Sequence, residues 1–340
     1  MSVKSLAIGG FTVFEEELKL GFSPNMNVFI GENGTGKTQI LKVLYSFCET
    51  YDDIPKINIK DDYIRDPDII PQFPSGTYIF NKVKSILAEC LQVSEVQFDK
   101  ADIDYENMDV DLNISRLGYF QDPHKKSSAI FIPSKDMLTH SKGLLAMAKL
   151  CSKSMPFDKT ILDIIDRATR WHLDEVEPWI RCILTKLEKI IGGTVFERDG
   201  EFFVLKEDGK EISFAFEAEG VKKFGLLWLL LINGSINKNT ILLWDEPEAN
   251  INPKLIPILV EVLLELARHG VQIFIATHDY YFPQYVEVLA KESDSVKFHS
   301  LHKTKNGVKC ETSDKFSMLE NEINDEAIRL YDAEVEKVMK

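Results

Sequence analysis

The sequence predicts an α/β fold: a mixed or parallel central sheet with an antiparallel β subdomain and an inserted helical subdomain. Three observations support this. The glycine-rich stretch Gly31–Thr38 follows a short apolar run and precedes a stretch with helical spacing. Helical and strand-like patterns alternate from Val221 to Ala276, which is typical of parallel strands joined by right-handed crossovers. Asp-Gly pairs at 199–200 and 208–209 separate three apolar runs and predict a meander of hairpins.

Residues 1–136 are expected to form the first part of the lobe that carries the sheet. In order, the pattern predicts strands at Val3–Ala7, Glu17–Leu20 and Asn27–Ile30, a helix at Thr38–Glu49, a loop at Asp52–Pro74, a helix at Tyr78–Leu91, surface strands within Val96–Leu117 and a buried strand at Ala129–Ile132. Residues 137–192 follow as the inserted helical subdomain. Its helical block runs from Leu144 to Ile191, and Trp171 and Trp179 are expected to pack in its core.

Residues 193–340 are expected to complete the lobe. In order, the pattern predicts hairpin strands at Thr194–Phe196, Phe202–Leu205 and Ile212–Phe214, a helix at Val221–Leu231, a strand at Ile241–Trp244, a helix at Pro253–Arg268 closed by Gly270, a strand at Val271–Ala276 and a helix within Met318–Met339. The apolar spacing of the last helix fits two roles equally well. It can dock a partner, or it can close the core of its own domain.

The composition is that of an ordinary globular protein. The chain has 340 residues, 44% of them hydrophobic and 28% charged, which suits one large α/β domain with an insertion. The N-terminus lacks the apolar core of a signal peptide, and the most apolar stretch, Phe224–Ile232, is too short to span a bilayer. The five cysteines form no C-x-x-C pair, which argues against a disulfide framework or a zinc site. We therefore expect a cytoplasmic protein without a membrane partner.

The net charge of −14 gives no support to binding of nucleic acid, although a local basic patch would be compatible with it. Short lysine clusters occur at Lys125–Lys126, Lys222–Lys223 and Lys303–Lys305. For most of these lysines, solvated surface charge is the expected role.

The strongest motif is the stretch from Gly31 to Thr38, which fits the pattern G-x-x-x-x-G-K-[ST] between a strand and a helix. Its glycines let the backbone curl so that N–H groups point at phosphate oxygens, and the helix N-terminus adds favourable partial charge. Lys37 would reach the β- and γ-phosphates, and the Thr38 hydroxyl would bind Mg²⁺. The candidate residues for binding ATP are Gly31, Glu32, Asn33, Gly34, Thr35, Gly36, Lys37, Thr38 and Gln39.

Three further candidates follow apolar strands. Asp245 ends the strand at 241–244 and could hold Mg²⁺ together with Thr38. Glu246 could polarise the water that attacks the γ-phosphate. His278 follows the next strand and could hydrogen-bond the same phosphate. Asp245 and Thr38 are thus the candidate metal ligands, and Glu246 and His278 the candidate catalytic residues.

Together these residues resemble the ABC-type P-loop ATPases, more closely the heads of SMC- and RecF-type proteins and the OLD-like bacterial ATPases of the AAA family. Phe11–Phe14 and Asn27–Gly34 look like the opening of such heads. Asp245–Pro253 looks like their Walker B motif and D-loop, and Thr277–His278 matches their switch histidine. Ile132–Asp136 lies where their Q-loop region is expected.

The sequence departs from the family pattern in the signature loop, which would correspond to Glu217–Lys223. Ala218 replaces the family's serine, which weakens the expected closure on ATP, and Gly220 could still offer a backbone N–H across a dimer. Asn252 stands where many OLD-like heads carry histidine. The Q-loop glutamine has two candidates, Gln121 by residue type and Ser134–Lys135 by position.

The resemblance implies an ATPase that works as a sandwich homodimer, with ATP held by Gly31–Thr38 of one subunit and the Gly220 loop of the other. We expect this nucleotide switch to control a separate effector protein, a nuclease or toxin, in a bacterial anti-phage defence system. The alternatives are a RecF- or SMC-like ATPase of DNA repair or chromosome structure, a transporter's nucleotide-binding subunit, and a scaffold that binds nucleotide without hydrolysing it.

Overall fold

The computed structural model describes residues 2–52, 76–93, 95–97, 100–105, 128–150 and 157–339. The strands within this part of the chain are β1 (Val3–Gly9), β2 (Leu18–Gly21), β3 (Met26–Gly31), β4 (Lys100–Tyr105), β5 (Ser128–Ile132), β6 (Gly193–Arg198), β7 (Glu201–Lys206), β8 (Glu211–Ser213), β9 (Thr240–Asp245), β10 (Gln272–Thr277), β11 (Val296–Thr304) and β12 (Gly307–Ser313). The helices are α1 (Lys37–Asp52), α2 (Gly76–Leu91), α3 (Leu144–Leu150), α4 (Lys159–Ala168), α5 (Pro178–Ile191), α6 (Glu219–Ile232), α7 (Ile256–Arg268), α8 (Tyr281–Leu289) and α9 (Glu322–Met339).

The central sheet has the strand order β12-β11-β3-β10-β9-β5. Every neighbouring pair is parallel except β11 with β12, which form an antiparallel hairpin at one edge. All residues of β3, β9 and β10 are buried, because these strands are covered on both faces and read as continuous apolar runs. The predicted mixed, mainly parallel sheet is confirmed.

Two apolar clusters cover the faces of this sheet. One contains α1, α2 and the first strands, and the other contains α5, α6 and α7. The register pairs Thr277 with Ile30 and Ala276 with Asp245. The carboxyl ends of β3, β10 and β9 therefore lie side by side, so the loops that follow them meet at one edge of the sheet.

Two small antiparallel sheets flank the central one, with the orders β2-β1-β4 and β6-β7-β8. In the second, Arg198 pairs with Glu201 across a two-residue turn in which Asp199 and Gly200 both have positive φ, at 55° and 79°. Such a turn matches the twist of a hairpin, as the Asp-Gly pair predicts. The predicted meander is confirmed. The division of the chain at residues 136 and 192 stays a prediction.

The prediction for Trp171 was wrong. Its side chain is 94% exposed, because it lies in the connection between α4 and α5 rather than on a helix. Helical periodicity therefore does not apply to it. Trp179 lies on α5 and stacks on His269 with ring centroids 4.5 Å apart.

The expectation for the lysine pair Lys222–Lys223 was also wrong. Both side chains are buried in α6 rather than solvated. Lys222 forms ion pairs with Glu219 at 2.8 Å and Asp136 at 3.6 Å. Burial of a charged group is costly unless it is paired, so these lysines have structural partners.

Helix α9 settles one alternative left open by its sequence. No residue described in α9 is fully buried. Ile323 at its start packs partly buried against the core, whereas Ile328, Tyr331 and Val338 are exposed. It does not close a core in this chain. Among the described residues, no helix is both long and apolar enough to cross a membrane. The predicted loop after Asp52, the region 106–117, the lysine pair 125–126 and the candidate Gln121 lie outside the described residues.

Candidate nucleotide site

The loop between β3 and α1 is shaped by close approaches that only glycine permits. Gly31 has φ +149°, and a Cβ there would lie 2.3 Å from the carbonyl oxygen of Leu301. Gly36 has φ +87°, and a Cβ there would lie 2.5 Å from the Phe14 ring. These contacts hold the loop against β11 and the 11–14 turn. They preserve a tight curl of backbone of the kind that cradles phosphates.

Lys37 is the first residue of α1 and is buried inside this loop. Its ammonium donates hydrogen bonds to the carbonyl oxygens of Gly31 at 2.6 Å and Glu32 at 2.8 Å. Burial lowers the pKa of Lys37, and the nearby carboxylates of Glu246 and Asp245 oppose that shift. A cation is thus held inside the loop by the loop's own carbonyl oxygens.

Thr38 and Asp245 meet although 207 residues separate them in the chain. The Thr38 hydroxyl lies 3.0 Å from each carboxylate oxygen of Asp245. Burial raises the pKa of Asp245 to about 6, and the hydrogen bond from Thr38 opposes this shift. Hydroxyl and carboxylate oxygens are the donors that Mg²⁺ prefers, so the pair fits this cation.

Glu246 and His278 also come together. Nδ1 of His278 lies 2.9 Å from a carboxylate oxygen of Glu246. Glu246 has the positive φ of 48°, and its backbone N–H donates to the carbonyl oxygen of Ala276, 2.8 Å away. The end of β9 is therefore bonded to the end of β10, and this linkage aims both side chains at the same region.

Two residues of the site were missed by sequence reasoning. Glu248 is buried and accepts a hydrogen bond of 2.6 Å from the Thr277 hydroxyl, and burial raises its pKa to about 7. Lys223 reaches the same loop from α6, and its ammonium donates to the carbonyl oxygen of Glu246 at 2.8 Å. The only signal for Lys223 in the sequence is a charged pair at the start of an otherwise apolar helix.

Gln39 and Lys303 lie at the outer rim of the glycine-rich loop. Gln39 accepts a hydrogen bond of 2.6 Å from the Thr12 hydroxyl, so its side chain ties α1 to the 11–14 turn. Lys303 on β11 donates to the carbonyl oxygen of Asn33, 2.9 Å away. This lysine belongs to a cluster expected to be solvated. Its side chain is 55% exposed, and it also supports the loop.

Gly220 is placed away from these groups. It is the second residue of α6, and a Cβ there would lie 3.4 Å from both Asn250 and Ile251. Ala218 and Glu219 are the exposed residues of this turn. In the part of the chain that the structure describes, no hydrogen bond or ion pair joins residues 218–220 to residues 31–39.

Two other candidates have local roles. Asn252 caps the 3-10 turn Pro253–Leu255 through its side chain, which accepts from the Lys254 N–H at 3.0 Å. Ser134 and Lys135 follow β5, the neighbour of β9. The structure therefore describes the position of the Q-loop candidate Ser134–Lys135, whereas the other candidate, Gln121, lies outside the described residues.

Comparisons with known proteins show the family to which the chain belongs. A family model described as "AAA domain, putative AbiEii toxin, Type IV TA system" matches residues 87–282, more than half of the chain. The chain belongs to this family. A second family model, described as an AAA ATPase domain, matches residues 1–135 of this AAA-domain protein.

Known relatives and structures extend the comparison. A stretch of 50 residues in this AAA-domain protein is 44% identical to the DNA replication and repair protein RecF of Lactococcus lactis. It covers 15% of the chain and 14% of the length of RecF. The SMC head bound to the C-winged helix domain of ScpA aligns with a TM-score of 0.50 and 12% identity, over 92% of this chain and 98% of that one. The SMC head domain from Thermotoga maritima aligns with a TM-score of 0.45 and 14% identity, over 92% and 99%.

These comparisons confirm the predicted fold class. The AAA-domain protein has the α/β fold of a P-loop ATPase head, with a mixed central sheet and antiparallel sheets beside it. The predicted resemblance to P-loop ATPases of the SMC, RecF and ABC type is confirmed as well. The P-loop ATPase fold implies ATP binding.

Proposed function

We propose that this chain binds ATP with Mg²⁺ at residues 31–38 and hydrolyses it to ADP and phosphate. The observation that supports this best is the contact between the Thr38 hydroxyl and both oxygens of Asp245, at 3.0 Å, beside the buried Lys37. A hydroxyl, a carboxylate and a cation at the mouth of a glycine-rich loop suit a triphosphate and its cation.

The residues divide the chemistry between them. Thr38 and Asp245 would hold Mg²⁺, which when bound supplies positive charge to the phosphates. Lys37 and the N-terminus of α1 stabilise the charge that develops on the transferred phosphoryl group. The Glu246 carboxylate accepts a proton from the attacking water, and His278 holds that carboxylate in place through the contact of 2.9 Å.

Replacement of the proposed base tests the hydrolysis. Glu246→Gln keeps the size of the side chain but cannot accept the proton, so we expect the rate of phosphate release to fall by about 10²-fold or more while ATP still binds. The measurement is steady-state phosphate release from the full chain, with ATP affinity determined by titration of a fluorescent analogue. Equal turnover by the variant and the parent would show that Glu246 is not the base.

We further propose that ATP drives the formation of a homodimer, with the turn at residues 218–220 of one subunit facing the nucleotide of the other. The exposure of Ala218 and Glu219 supports this arrangement, since both residues lie at the surface of the chain. In the Glu246→Gln background, we expect light scattering to show a dimer with Mg²⁺-ATP and a monomer without it.

Ala218→Arg tests the face of that dimer. A long charged side chain on the exposed turn would block close approach, so we expect the ATP-dependent dimer to be lost. The matched control is Glu292→Arg, an equally exposed site after α8, just before β11, at the opposite edge of the sheet. If both arginine variants still dimerise, the interface lies elsewhere.

The biological role that we favour is control of a separate effector in bacterial anti-phage defence, in the cytoplasm. The family's description names a putative toxin of a type IV toxin–antitoxin system, which supports a role for this chain in a system of that class. Co-expression with the product of a neighbouring gene tests it. We expect the activity of that partner to change when Glu246→Gln replaces the parent chain, and an effector indifferent to this change would contradict the proposal.

A second candidate is a RecF-like role on DNA, favoured by the 50-residue identity with RecF. A protein of that kind would bind duplex DNA, with affinity falling steeply as salt rises. Fluorescence anisotropy at low salt separates the two candidates. Because the net charge is −14, we expect no binding, and tight binding with ATPase stimulation would favour the RecF-like role.

A further inference from the structure

Lys223 joins the helix of the signature-like turn to the loop that carries the proposed base. It lies in the first turns of α6 and is buried. Its ammonium donates to the carbonyl oxygen of Glu246 at 2.8 Å and to that of Pro247 at 3.3 Å. Neither Asp245 nor Thr38 is among its hydrogen-bond partners, so this lysine acts on the backbone after β9.

The backbone that Lys223 holds is in a disfavoured conformation. Glu246 has φ +48°, in the left-handed region where side chains other than glycine are uncommon. Such conformations persist when the surroundings over-determine them, often at functional sites. Here the N–H of Glu246 donates to Ala276, and its carbonyl oxygen accepts from the N–H of Ala249 at 3.1 Å and from Lys223.

Helix α6 contacts this loop at a second point. Gly220, one turn before Lys223, packs against Asn250 and Ile251 at the far end of the loop. Helix α6 therefore contacts the start of the loop through the hydrogen bond of Lys223, and it contacts the end of the loop through the packing of Gly220. A shift of α6 would be transmitted to Glu246, since cores transmit small displacements.

The charge of Lys223 also suits its neighbours. Its ammonium is attracted by the carboxylates of Glu248, Glu246 and Asp245, which lie together at the carboxyl edge of the sheet. One carboxylate oxygen of Glu248 is buried without a hydrogen-bond partner among the described residues. A buried cation beside these acids offsets their mutual repulsion.

We propose that Lys223 is a positioning residue of the ATPase: it holds the Glu246 backbone so that the carboxylate faces His278, and it couples α6 to that carboxylate. This inference depends on the proposed function, because it assigns Lys223 a part in the same reaction. It predicts that loss of Lys223 lowers turnover while nucleotide affinity is retained.

The test compares Lys223→Met, Lys223→Gln and Lys223→Arg with Lys222→Met. The neighbour Lys222 is equally buried, but its ion pairs lead to Asp136 and Glu219 instead of the loop. We expect Lys223→Met to lower kcat by about 10-fold or more with ATP affinity within about threefold of the parent, as for loss of a transition-state interaction. Arg should restore part of the rate, and Gln less, since it keeps donors without the charge.

Hydrogen exchange adds a readout that does not depend on turnover. In Lys223→Met, the amides of residues 244–251 should exchange faster than in the parent, while Lys222→Met should leave them unchanged. Parent-like kcat and exchange in Lys223→Met would overturn the inference. Equal losses of kcat and ATP affinity would also overturn it. If Lys223→Met does not fold, the same criteria apply to Lys223→Gln. If the parent itself does not hydrolyse ATP, the proposed function fails, and the exchange experiment still reports on the contact.

Discussion

At the scale of single residues, the site depends on side chains that the glycine-rich loop holds inside itself. Lys37 is the clearest case, because its ammonium lies among loop carbonyl oxygens at 2.6 and 2.8 Å. A cation in this position would bring the triphosphate into the loop. Lys303, by contrast, contacts the loop from outside, through the carbonyl oxygen of Asn33.

Lys37→Ala should therefore abolish ATP binding. A ligand at 100 times its Kd stabilises a protein by about 2.7 kcal/mol, so ATP should raise the Tm of the parent by several degrees and leave the Tm of Lys37→Ala unchanged. The control is Lys305→Ala, at an exposed turn beyond β11. Differential scanning fluorimetry provides the measurement, and a full ATP-dependent shift in Lys37→Ala would refute the assignment.

Residues within one contiguous motif were predictable from the sequence, and residues that join the motif from elsewhere were not. Gly31–Thr38 carries its own chemistry in order, and Asp245 ends an apolar run, so each could be assigned alone. Lys223 functions only because α6 packs on the loop after β9, a contact with no trace in local periodicity. Glu248 belongs to the Asp245–Pro253 motif, but its burial against Thr277 depends on the register of two strands.

At the scale of elements, α9 differs from the other long helices because none of its described residues is fully buried, and Ile323 at its start packs on the core while only partly buried. Its apolar side chains include Ile328, which is 60% exposed, and Val335, which is 41% exposed. These two residues lie on the same face of the helix, two turns apart. Periodicity predicted the helix but not the surface that covers its apolar face. The same apolar spacing is found in a helix that packs on its own core and in a helix that binds a partner. For Trp171 periodicity failed in a different way. The residue was predicted to pack within a helical block, but it lies in the segment that connects α4 and α5.

The double variant Ile328→Glu with Val335→Glu should leave the Tm and the ATPase rate of the isolated chain unchanged. Exposed side chains away from special contacts alter stability by about 0.5 kcal/mol or less. The control is Leu227→Ala on α6, whose side chain is fully buried and whose truncation should cost about 2–5 kcal/mol. Urea unfolding measures both. A loss of several kcal/mol in the double variant would show that α9 stabilises this chain.

At the scale of the whole molecule, one buried histidine links stability to pH. His299 on β11 stacks on Phe29 with ring centroids 4.9 Å apart, and its Nδ1 lies 2.9 Å from the Thr312 hydroxyl. Burial lowers the pKa of His299 from 6.5 to about 3. Between these values the unfolded chain binds one proton more than the folded chain. Stability from this group is therefore complete above pH 6.5 and is lost as pH falls.

Replacement of His299 isolates this contribution. His299→Gln removes the titrating ring, so the variant should be less stable near neutral pH but lose less of its stability on acidification. From pH 7 to about pH 5, the parent should lose about 2 kcal/mol more than the variant, since each pH unit below 6.5 costs about 1.4 kcal/mol. Urea titrations at both pH values check it, and equal slopes for the two proteins would contradict it.

The order of strands in the central sheet has a consequence for synthesis. Strand β3 lies near the N-terminus, yet both of its neighbours, β10 and β11, come from the last quarter of the chain. During translation the apolar residues of β3 therefore stay unpaired until β10 and β11 have been synthesised, more than 240 residues later. Pairings so distant in sequence form slowly and leave apolar segments exposed. A nascent chain of this protein should therefore bind chaperones until β10 and β11 emerge from the ribosome.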